Sequence, residues 1–257
     1  MPAPPRILSI AGSDSSGGAG IQADIKTITV LGGYAMTAIT AITAQNTCGV
    51  TDVVALSPEM VAAQIDACIG DVGVDAVKIG MLGSPEIAHI VAGRLEALDV
   101  PVVFDPVMIA TSGSILADKA TIAAFERLMA LATLTTPNVP ELVVLGGDEG
   151  MAARAVTYIA KGGDADGPIV EDRLVRPGQA PLLWTAPRIE TRHSHGTGCT
   201  FSSAIATCMG RGDDLVSAVE QARDFVRDAL QAAPGFGAGH GPLGHHAIRQ
   251  VIGARPA

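Results

Sequence analysis

One stretch of the chain, residues 192–200 (RHSHGTGCT), combines residue types that can do chemistry. Gly196 and Gly198 precede an apolar, small-residue segment that has the composition of a buried helix. Glycines at a helix N-terminus leave backbone N–H groups uncovered, and these groups together with the helix dipole can bind a phosphate. Thr197 and Cys199 lie in the same turn, where this field is expected to lower the pKa of the thiol. Alternatively, the small residues serve only close packing.

A second glycine-rich segment, residues 12–20 (GSDSSGGAG), lies between an apolar run and a helical pattern. Residues 6–11 predict a short buried strand and residues 21–31 a helix, which is the layout of a ligand-binding turn in an α/β sheet. No acidic residue occurs over residues 34–47, where a dinucleotide-binding unit would need one, and no P-loop motif is present. A tight turn without a ligand is the alternative.

Three residues whose side chains could contact a ligand directly follow apolar strand patterns: Gln45, Met81 and Asp105. Ligands of open α/β sheets collect at the carboxyl ends of the strands, so we expect these residues at one edge of the sheet. The Gln45 amide can both donate and accept hydrogen bonds, which suits the edge of a heterocycle. Gln45 and Asp105 could also simply cap turns.

Further along the chain, Asn138 and Glu141 are three residues apart at a predicted helix start. Two oxygen ligands at that spacing could hold Mg²⁺ directly or through water, or the two residues could cap the helix. Lys161 follows another predicted strand and precedes Gly162 and Gly163. A lysine there can reach a phosphate, or it can lie in a solvated turn.

The composition of the 257 residues excludes several classes of function. A net charge of −9 and 3% aromatic residues argue against a nucleic-acid-binding surface. The four cysteines have no metal-type spacing and are too few for a disulfide framework, which predicts a reduced, cytoplasmic setting. Neither a signal peptide nor an apolar run long enough for a membrane span is predicted.

The order of the predicted elements indicates the fold class. Strand and helix patterns alternate through most of the chain, which predicts a single domain over residues 1–257 with a mostly parallel sheet covered by helices on both faces. Residues 169–175 and 182–186 predict an antiparallel edge pair. Residues 146–150 predict a loop and residues 151–155 a short helical piece.

Several short segments occur together in one order: A-G-S-D-S-S-G-G-A-G-I-Q-A-D, A-Q-N-T, K-I-G-M-L, D-P-V-M, T-P-N-V-P-E, K-G-G and H-G-T-G-C-T. From about Arg6 to about His246 the chain thereby resembles the hydroxymethylpyrimidine/phosphomethylpyrimidine kinases of thiamin biosynthesis, in the ribokinase-like superfamily. The resemblance implies a three-layer α/β/α fold. It also implies Mg²⁺-dependent transfer of the ATP γ-phosphoryl group to the hydroxymethyl oxygen of a pyrimidine, and then to the resulting monophosphate.

The resemblance also implies residue roles. Gln45 is expected to read the pyrimidine edge, and the same pocket is expected to be lined by Gly12, Asp24, Met81 and Val107. The residues implied on the ATP and Mg²⁺ side are Lys161, Asp105, Asn138 and Glu141, of which Asn138 and Glu141 would position the metal ion. Gly196, Thr197 and Gly198 would form the anion hole. Cys199 would be the catalytic base, at a position where most ribokinase-like enzymes carry Asp.

The chain departs from the family pattern on the nucleotide side. Only nineteen residues separate Glu141 from Lys161, where the family usually has a longer segment with an additional helix. The residue after the K-G-G segment is Asp164 rather than the common His. A homodimer is expected from the resemblance, with residues 34–56 as the apolar contact region.

Three other functions remain open at this point. Pyridoxal kinase activity would use a similar heteroaromatic alcohol as substrate. A non-catalytic pyrimidine-binding protein would explain the shortened nucleotide side. A cysteine hydrolase would use Cys199 as nucleophile and His193 or His195 as base.

Overall fold

A nine-stranded sheet forms the centre of the structure, a computed structural model that describes residues 3–110, 113 and 116–248. The strands are β1 (Arg6–Asp14), β2 (Tyr34–Asn46), β3 (Gly49–Ala55), β4 (Ala76–Ile79), β5 (Val102–Phe104), β6 (Leu134–Thr135), β7 (Tyr158–Ala160), β8 (Ile169–Val175) and β9 (Leu182–Pro187). Their order across the sheet is β3-β2-β1-β4-β5-β6-β7-β8-β9. The six central strands, β2, β1, β4, β5, β6 and β7, pair parallel to one another. The outer strands β3, β8 and β9 pair antiparallel to their neighbours.

Helices cover both faces of this sheet. They are α1 (Gly20–Val30), α2 (Pro58–Ala67), α3 (Pro85–Leu95), α4 (Lys119–Leu131), α5 (Val139–Val144), α6 (Gly147–Ala153), α7 (Thr197–Gly210) and α8 (Leu215–Gln231). Helices α2, α3 and α4 pack on one face around Leu8 and Ile10 of β1. Helices α1, α7 and α8 pack on the other face around Ile7. The predicted three-layer α/β/α class is therefore confirmed.

Local sequence signals explain where the helices begin. Ser57 and Ser84 each precede a proline, and their side chains accept hydrogen bonds from backbone N–H groups of the first turns of α2 and α3. Asp118 caps α4 in the same way. Buried apolar residues then recur at helical spacing, as Val61 and Ile65 do in α2, and they attach each helix to the sheet. No described helix combines the length and the hydropathy that crossing a bilayer requires.

The strand order places a crevice at the centre of one edge. Strand β1 lies between β2 and β4, so the chain leaves β1 toward one side and later returns on its other side. Such a switch point opens a ligand crevice at the carboxyl ends of the strands. The glycine-rich segment that follows β1 and Met81, which follows β4, both lie there.

Some element boundaries differ from the predictions. Strand β1 continues to Asp14, so the first part of the glycine-rich segment is regular strand rather than loop. Strand β2 continues to Asn46, which places Gln45 inside a strand rather than after it. Helix α6 begins at Gly147, where a loop was predicted, because Gly146 and Gly147 adopt positive φ angles and allow a tight entry from α5. That residues 1–257 form one domain stays a prediction.

Candidate active site

Helix α7 begins inside this crevice, and its first turn carries the predicted anion hole. Gly196 precedes the helix with a φ of +89°, and an added Cβ there would overlap the carbonyl oxygen of Gly18. Glycine at this position therefore brings the first glycine-rich segment against the start of α7. The Thr197 amide donates to the Ser194 carbonyl at 3.3 Å, whereas the amides of Gly198 and Cys199 belong to the first turn, where no intrahelical carbonyl is available to them. The turn is thus a geometrically suitable anion seat.

Two charged side chains from other strands lie beside this turn. An ideal Cβ on Gly198 would be 3.2 Å from the Lys161 Nζ and 3.4 Å from the Asp105 Oδ2. Lys161 donates a hydrogen bond of 2.7 Å to Asp105 Oδ1, which also accepts from the Thr136 hydroxyl at 2.9 Å. Burial alone would lower the pKa of Lys161, but the charges of Asp105 and Glu141 outweigh burial and raise it. Lys161 is therefore a firmly held cation at the anion seat.

The thiol of Cys199 lies in the first turn of α7 and borders the same cavity. The expectation that the helix field lowers its pKa is wrong. Burial raises the pKa of Cys199 to about 11; the charge of Lys78 and the backbone N–H of Gly20 oppose this rise, and the carboxylates of Asp24 and Asp105 reinforce it. The thiol is consequently protonated at neutral pH.

Asp24 does not line the cavity, so its predicted contact with the pyrimidine is corrected. The side chain of Asp24 is fully buried beneath the site and forms an ion pair with Lys78 at 2.9 Å. Its oxygens also accept hydrogen bonds from Ser9 and from Ser203. Both carboxylate oxygens of Asp24 therefore have partners within the protein. Its charge affects the site by raising the pKa of Cys199.

The cavity in front of α7 has a volume of about 920 Å³. Four of the residues predicted to contact the pyrimidine border it: Gly12, Gln45, Met81 and Val107. At Gly12 an added Cβ would be 2.9 Å from the sulfur of Met81, so glycine keeps this wall open. The structure thus places these residues on one cavity with Cys199 and Lys161, while their role in binding a substrate stays a prediction.

A buried pair that the sequence did not reveal stands between the glycine-rich segment and the start of α7. The Nε2 of His195 is 2.8 Å from Asp14 Oδ2 and 3.4 Å from Gln45 Nε2. Asp14 also accepts hydrogen bonds from the backbone N–H groups of Ser16, Gly18 and Ala19. Burial would raise the pKa of Asp14, but these hydrogen bonds outweigh it and hold the pKa below its usual value.

One sequence signal could have found Asp14, because an Asp that opens a glycine-rich turn commonly accepts from the next backbone N–H groups. Its pairing with His195 spans 181 positions, which no local pattern encodes.

Asn138 and Glu141 form a capping box at the start of α5. The Asn138 side chain accepts from the Glu141 N–H at 2.8 Å, and the Glu141 carboxylate accepts from the Asn138 N–H at 2.9 Å. The capping alternative is therefore realised. Burial raises the pKa of Glu141 to about 7, against the charge of Lys161 and with that of Asp105. Glu141 and Asp105 thus share one electrostatic environment, and both border the cavity.

The part of the cavity around the K-G-G segment is organised by long-range contacts. Arg223 holds Asp172 at 2.7 Å, and the other oxygen of Asp172 accepts from the backbone N–H of Gly162 at 3.0 Å. Arg188 donates to the carbonyl groups of Gly163 and Gly167. The backbone around the K-G-G segment is therefore fixed, although only α5, α6 and β7 fill the short stretch between Glu141 and Lys161.

A cluster of three or more His, Cys, Asp or Glu side chains suited to a metal ion is not found over 3–110, 113 and 116–248. A magnesium ion at this edge of the sheet would therefore take most of its ligands from water and phosphate oxygens, which is usual for Mg²⁺ in phosphoryl-transfer sites.

The protein has a small-molecule kinase fold of the ribokinase-like type. This class is defined by the three-layer α/β/α fold together with a helix N-terminus that has open amides and a lysine held beside it. The model of the family described as phosphomethylpyrimidine kinase matches residues 14–244. The chain belongs to this family.

Relatives and solved structures agree with this assignment. A hydroxymethylpyrimidine/phosphomethylpyrimidine kinase from Rhizobium meliloti is 45% identical over 93% of this chain and 96% of its own length. A thiamine biosynthesis bifunctional protein from Geobacter sulfurreducens is 44% identical over 93% of this chain. A pyridoxal kinase from Staphylococcus aureus, solved with AMP-PCP and pyridoxal, superposes with a TM-score of 0.85 at 31% identity, covering 96% of each chain.

Some relatives are much longer than this chain. The chain spans 52% of the length of the Geobacter sulfurreducens protein and 37% of that of a multifunctional relative from Corynebacterium efficiens.

Proposed function

We propose that the protein transfers the γ-phosphoryl group of ATP to the hydroxymethyl oxygen of 4-amino-5-hydroxymethyl-2-methylpyrimidine, and then phosphorylates the monophosphate, in thiamin biosynthesis. The observation that carries this proposal is one cavity bordered by two chemically different groups of residues. Lys161, Asp105 and the first turn of α7 lie beside one another on it, and Gly12, Gln45 and Cys199 border the same cavity.

The anion seat has the main catalytic role in this proposal. Phosphoryl transfer depends chiefly on positioning and on stabilising the negative charge of the transferred group. The amides of Gly198 and Cys199 donate to that charge, and Lys161 adds a cation 3.2 Å from the position of a Gly198 Cβ. The substrate phosphates would replace part of the contact between Lys161 and Asp105.

Cys199 acts as the base for the hydroxymethyl proton. Because the pKa of this thiol is raised to about 11, it is a poor nucleophile at neutral pH and does not attack a substrate. In a loose transition state the alcohol loses its proton late, when the forming phosphate ester has made that proton acidic. Because the proton is lost late, a weakly populated thiolate is sufficient as the base.

Mg²⁺ fits the donor set beside Lys161. One Glu141 oxygen and the Asn138 amide oxygen serve the capping box, so Asn138 contributes by placing Glu141 rather than by a free oxygen. The Glu141 carboxylate, which also accepts from the Met108 backbone N–H, and Asp105 Oδ2 offer the hard oxygen ligands that Mg²⁺ prefers, directly or through water. When bound, the ion neutralises charge on the phosphate oxygens.

A homodimer and a cytoplasmic location complete the proposal. Ile42 and Val54, 51% and 59% exposed, carry apolar surface on the β2–β3 hairpin within residues 34–56, which a second copy could cover. The four cysteines are free thiols, as expected in a reducing compartment that also supplies ATP.

Product formation from candidate substrates tests the proposal. ADP release should depend on the pyrimidine alcohol and on Mg²⁺, and the monophosphate should be a second substrate. Faster turnover with pyridoxal would favour the alternative suggested by the Staphylococcus aureus structure. Binding of the pyrimidine without any ATP-analogue binding in calorimetry would favour a non-catalytic protein.

The cysteine hydrolase alternative finds little support in the geometry. His195 is engaged by Asp14, and within the described part of the chain no hydrogen bond joins Cys199 to His193 or His195. A nucleophilic thiol requires a base within hydrogen-bond reach. Loss of an ATP-independent hydrolytic activity on iodoacetamide treatment would be the result that revives this alternative.

A further inference from the structure

We propose that His195 and Asp14 form a positioning pair that sets the orientation of the Gln45 amide for the heteroaromatic ring of the substrate. The inference rests on the proposed function. It concerns residues that touch Gln45 rather than the reacting atoms, and it follows from the donors and acceptors around three side chains.

The partner of His195 determines that its Nε2 carries a proton. Asp14 accepts hydrogen bonds from three backbone N–H groups and from the Ser16 hydroxyl, and this set of donors favours the ionised carboxylate. A carboxylate only accepts hydrogen bonds, so the His195 Nε2, 2.8 Å from Asp14 Oδ2, must carry a proton. His195 is 4% exposed and Asp14 3%, so the contact between them is buried.

That proton decides which way the Gln45 amide faces. With the amide nitrogen on the His195 side, two hydrogen-bearing nitrogens would face each other over 3.4 Å. Turning the amide over places its carbonyl oxygen there, where it accepts from the His195 Nε2–H that Asp14 shares. Amide orientation is assigned from such networks, and only this orientation satisfies the contact.

Thr43 supports the same orientation from the other side. Its hydroxyl lies 2.9 Å from the carbonyl oxygen of Ser13 and 3.1 Å from the second terminal atom of the Gln45 amide. The single hydroxyl proton is donated to Ser13, so the oxygen is free to accept an N–H from Gln45. Gln45 keeps one further amide N–H, which is suited to a ring nitrogen of the substrate.

The pair also connects the substrate wall to the anion seat. Asp14 holds the backbone of Gly18 and Ala19, and His195 immediately precedes Gly196, which contacts Gly18. The Asp14 carboxylate therefore positions both the Gln45 side chain and the segment that precedes α7. Loss of the pair should mainly affect Gln45 and pyrimidine binding. The first turn of α7 is also held by the contact of Gly196 with Gly18 and by the hydrogen bond from the Thr200 N–H to the Gly196 carbonyl.

Replacing His195 by two amides of different reach tests the inference. The nitrogen of Gln can occupy the position of Nε2, whereas that of Asn reaches only the position of Nδ1. We expect His195→Gln to bind the pyrimidine within about threefold of the native protein. We expect His195→Asn to weaken that binding by about 10- to 100-fold, the effect of losing a hydrogen bond to a charged group. Calorimetry with 4-amino-5-hydroxymethyl-2-methylpyrimidine alone and with AMP-PCP alone measures both ligands.

Three further readouts distinguish positioning from a structural role. The affinity for AMP-PCP should change less than threefold in both variants. In a Gln45→Ala background, His195→Asn should have no further effect on pyrimidine affinity, because its action passes through Gln45. Asp14→Asn should weaken pyrimidine binding in the same direction as His195→Asn, and it replaces the histidine variants if these do not fold.

Equal effects of Gln and Asn at position 195, a parallel loss of AMP-PCP binding, or additive effects with Gln45→Ala would overturn the inference. Failure of the native protein to bind the pyrimidine would instead refute the proposed function.

Discussion

The buried ion pair between Lys78 and Asp24 should be essential for stability, and Lys78→Met tests this. Both side chains are fully buried, and the Lys78 Nζ lies 2.9 and 3.0 Å from the two Asp24 oxygens. At an effective dielectric constant of about 20, unit charges about 3 Å apart attract by about 5 kcal/mol. Methionine has a similar shape but no charge, so the variant leaves Asp24 unpaired in the core.

The expected loss is about 3–5 kcal/mol of unfolding free energy, since hydrogen bonds from Ser9 and Ser203 still compensate part of the Asp24 charge. For a chain of this size, that corresponds to a melting temperature lower by roughly 6–20 °C. Differential scanning calorimetry at pH 7 measures the shift.

The double variant Lys78→Met with Asp24→Asn is the matched control, because it removes both charges and should recover at least half of the loss. A shift below about 2 °C for Lys78→Met, or a double variant less stable than the single one, would refute the reasoning.

Three further predictions concern the start of α7. Gly196→Ala should unfold the turn or abolish turnover, because the φ of +89° and the contact with Gly18 exclude a side chain. Gly70→Ala is the control: an added Cβ there meets nothing within 4 Å, so the melting temperature should change little. Alkylation at Cys199 by iodoacetamide, followed by peptide mass spectrometry, should be slow at pH 7 and about tenfold faster per pH unit up to about 11, and a rate already saturated at pH 8 would contradict the raised pKa. Lys161→Met should lower kcat by about 100-fold with the pyrimidine KM nearly unchanged, and an equal rise in that KM would argue against a role at the phosphates.

The arrangement of the site along the sheet edge could be predicted from the sequence. The segments that end in Met81, Asp105 and Lys161 are apolar runs followed by polar or glycine residues, and parallel strands bring such ends together. The antiparallel edge pair predicted over residues 169–175 and 182–186 is confirmed as β8 and β9.

The sequence could not predict interactions that depend on distant partners. Asp24 was assigned to the pyrimidine wall, but Lys78, 54 positions away, holds it in the core. The pKa of Cys199 was expected to fall because only the local helix field is visible in the sequence; burial and the carboxylates of Asp24 and Asp105 reverse it. The contact between His195 and Asp14 likewise forms only when the glycine-rich segment meets the start of α7.

The central claim is that this cavity catalyses phosphoryl transfer to a pyrimidine alcohol with Cys199 as the base. The most direct measurement is pyrimidine-dependent ADP release by the native protein and by Cys199→Ala, with pyrimidine affinity measured on both by calorimetry. We expect the native protein to turn over, and the variant to lose at least about 100-fold in kcat while binding the pyrimidine within about threefold. A variant that keeps the native rate would contradict the role of the thiol, and a native protein that releases no ADP with the pyrimidine alcohol would contradict the function itself.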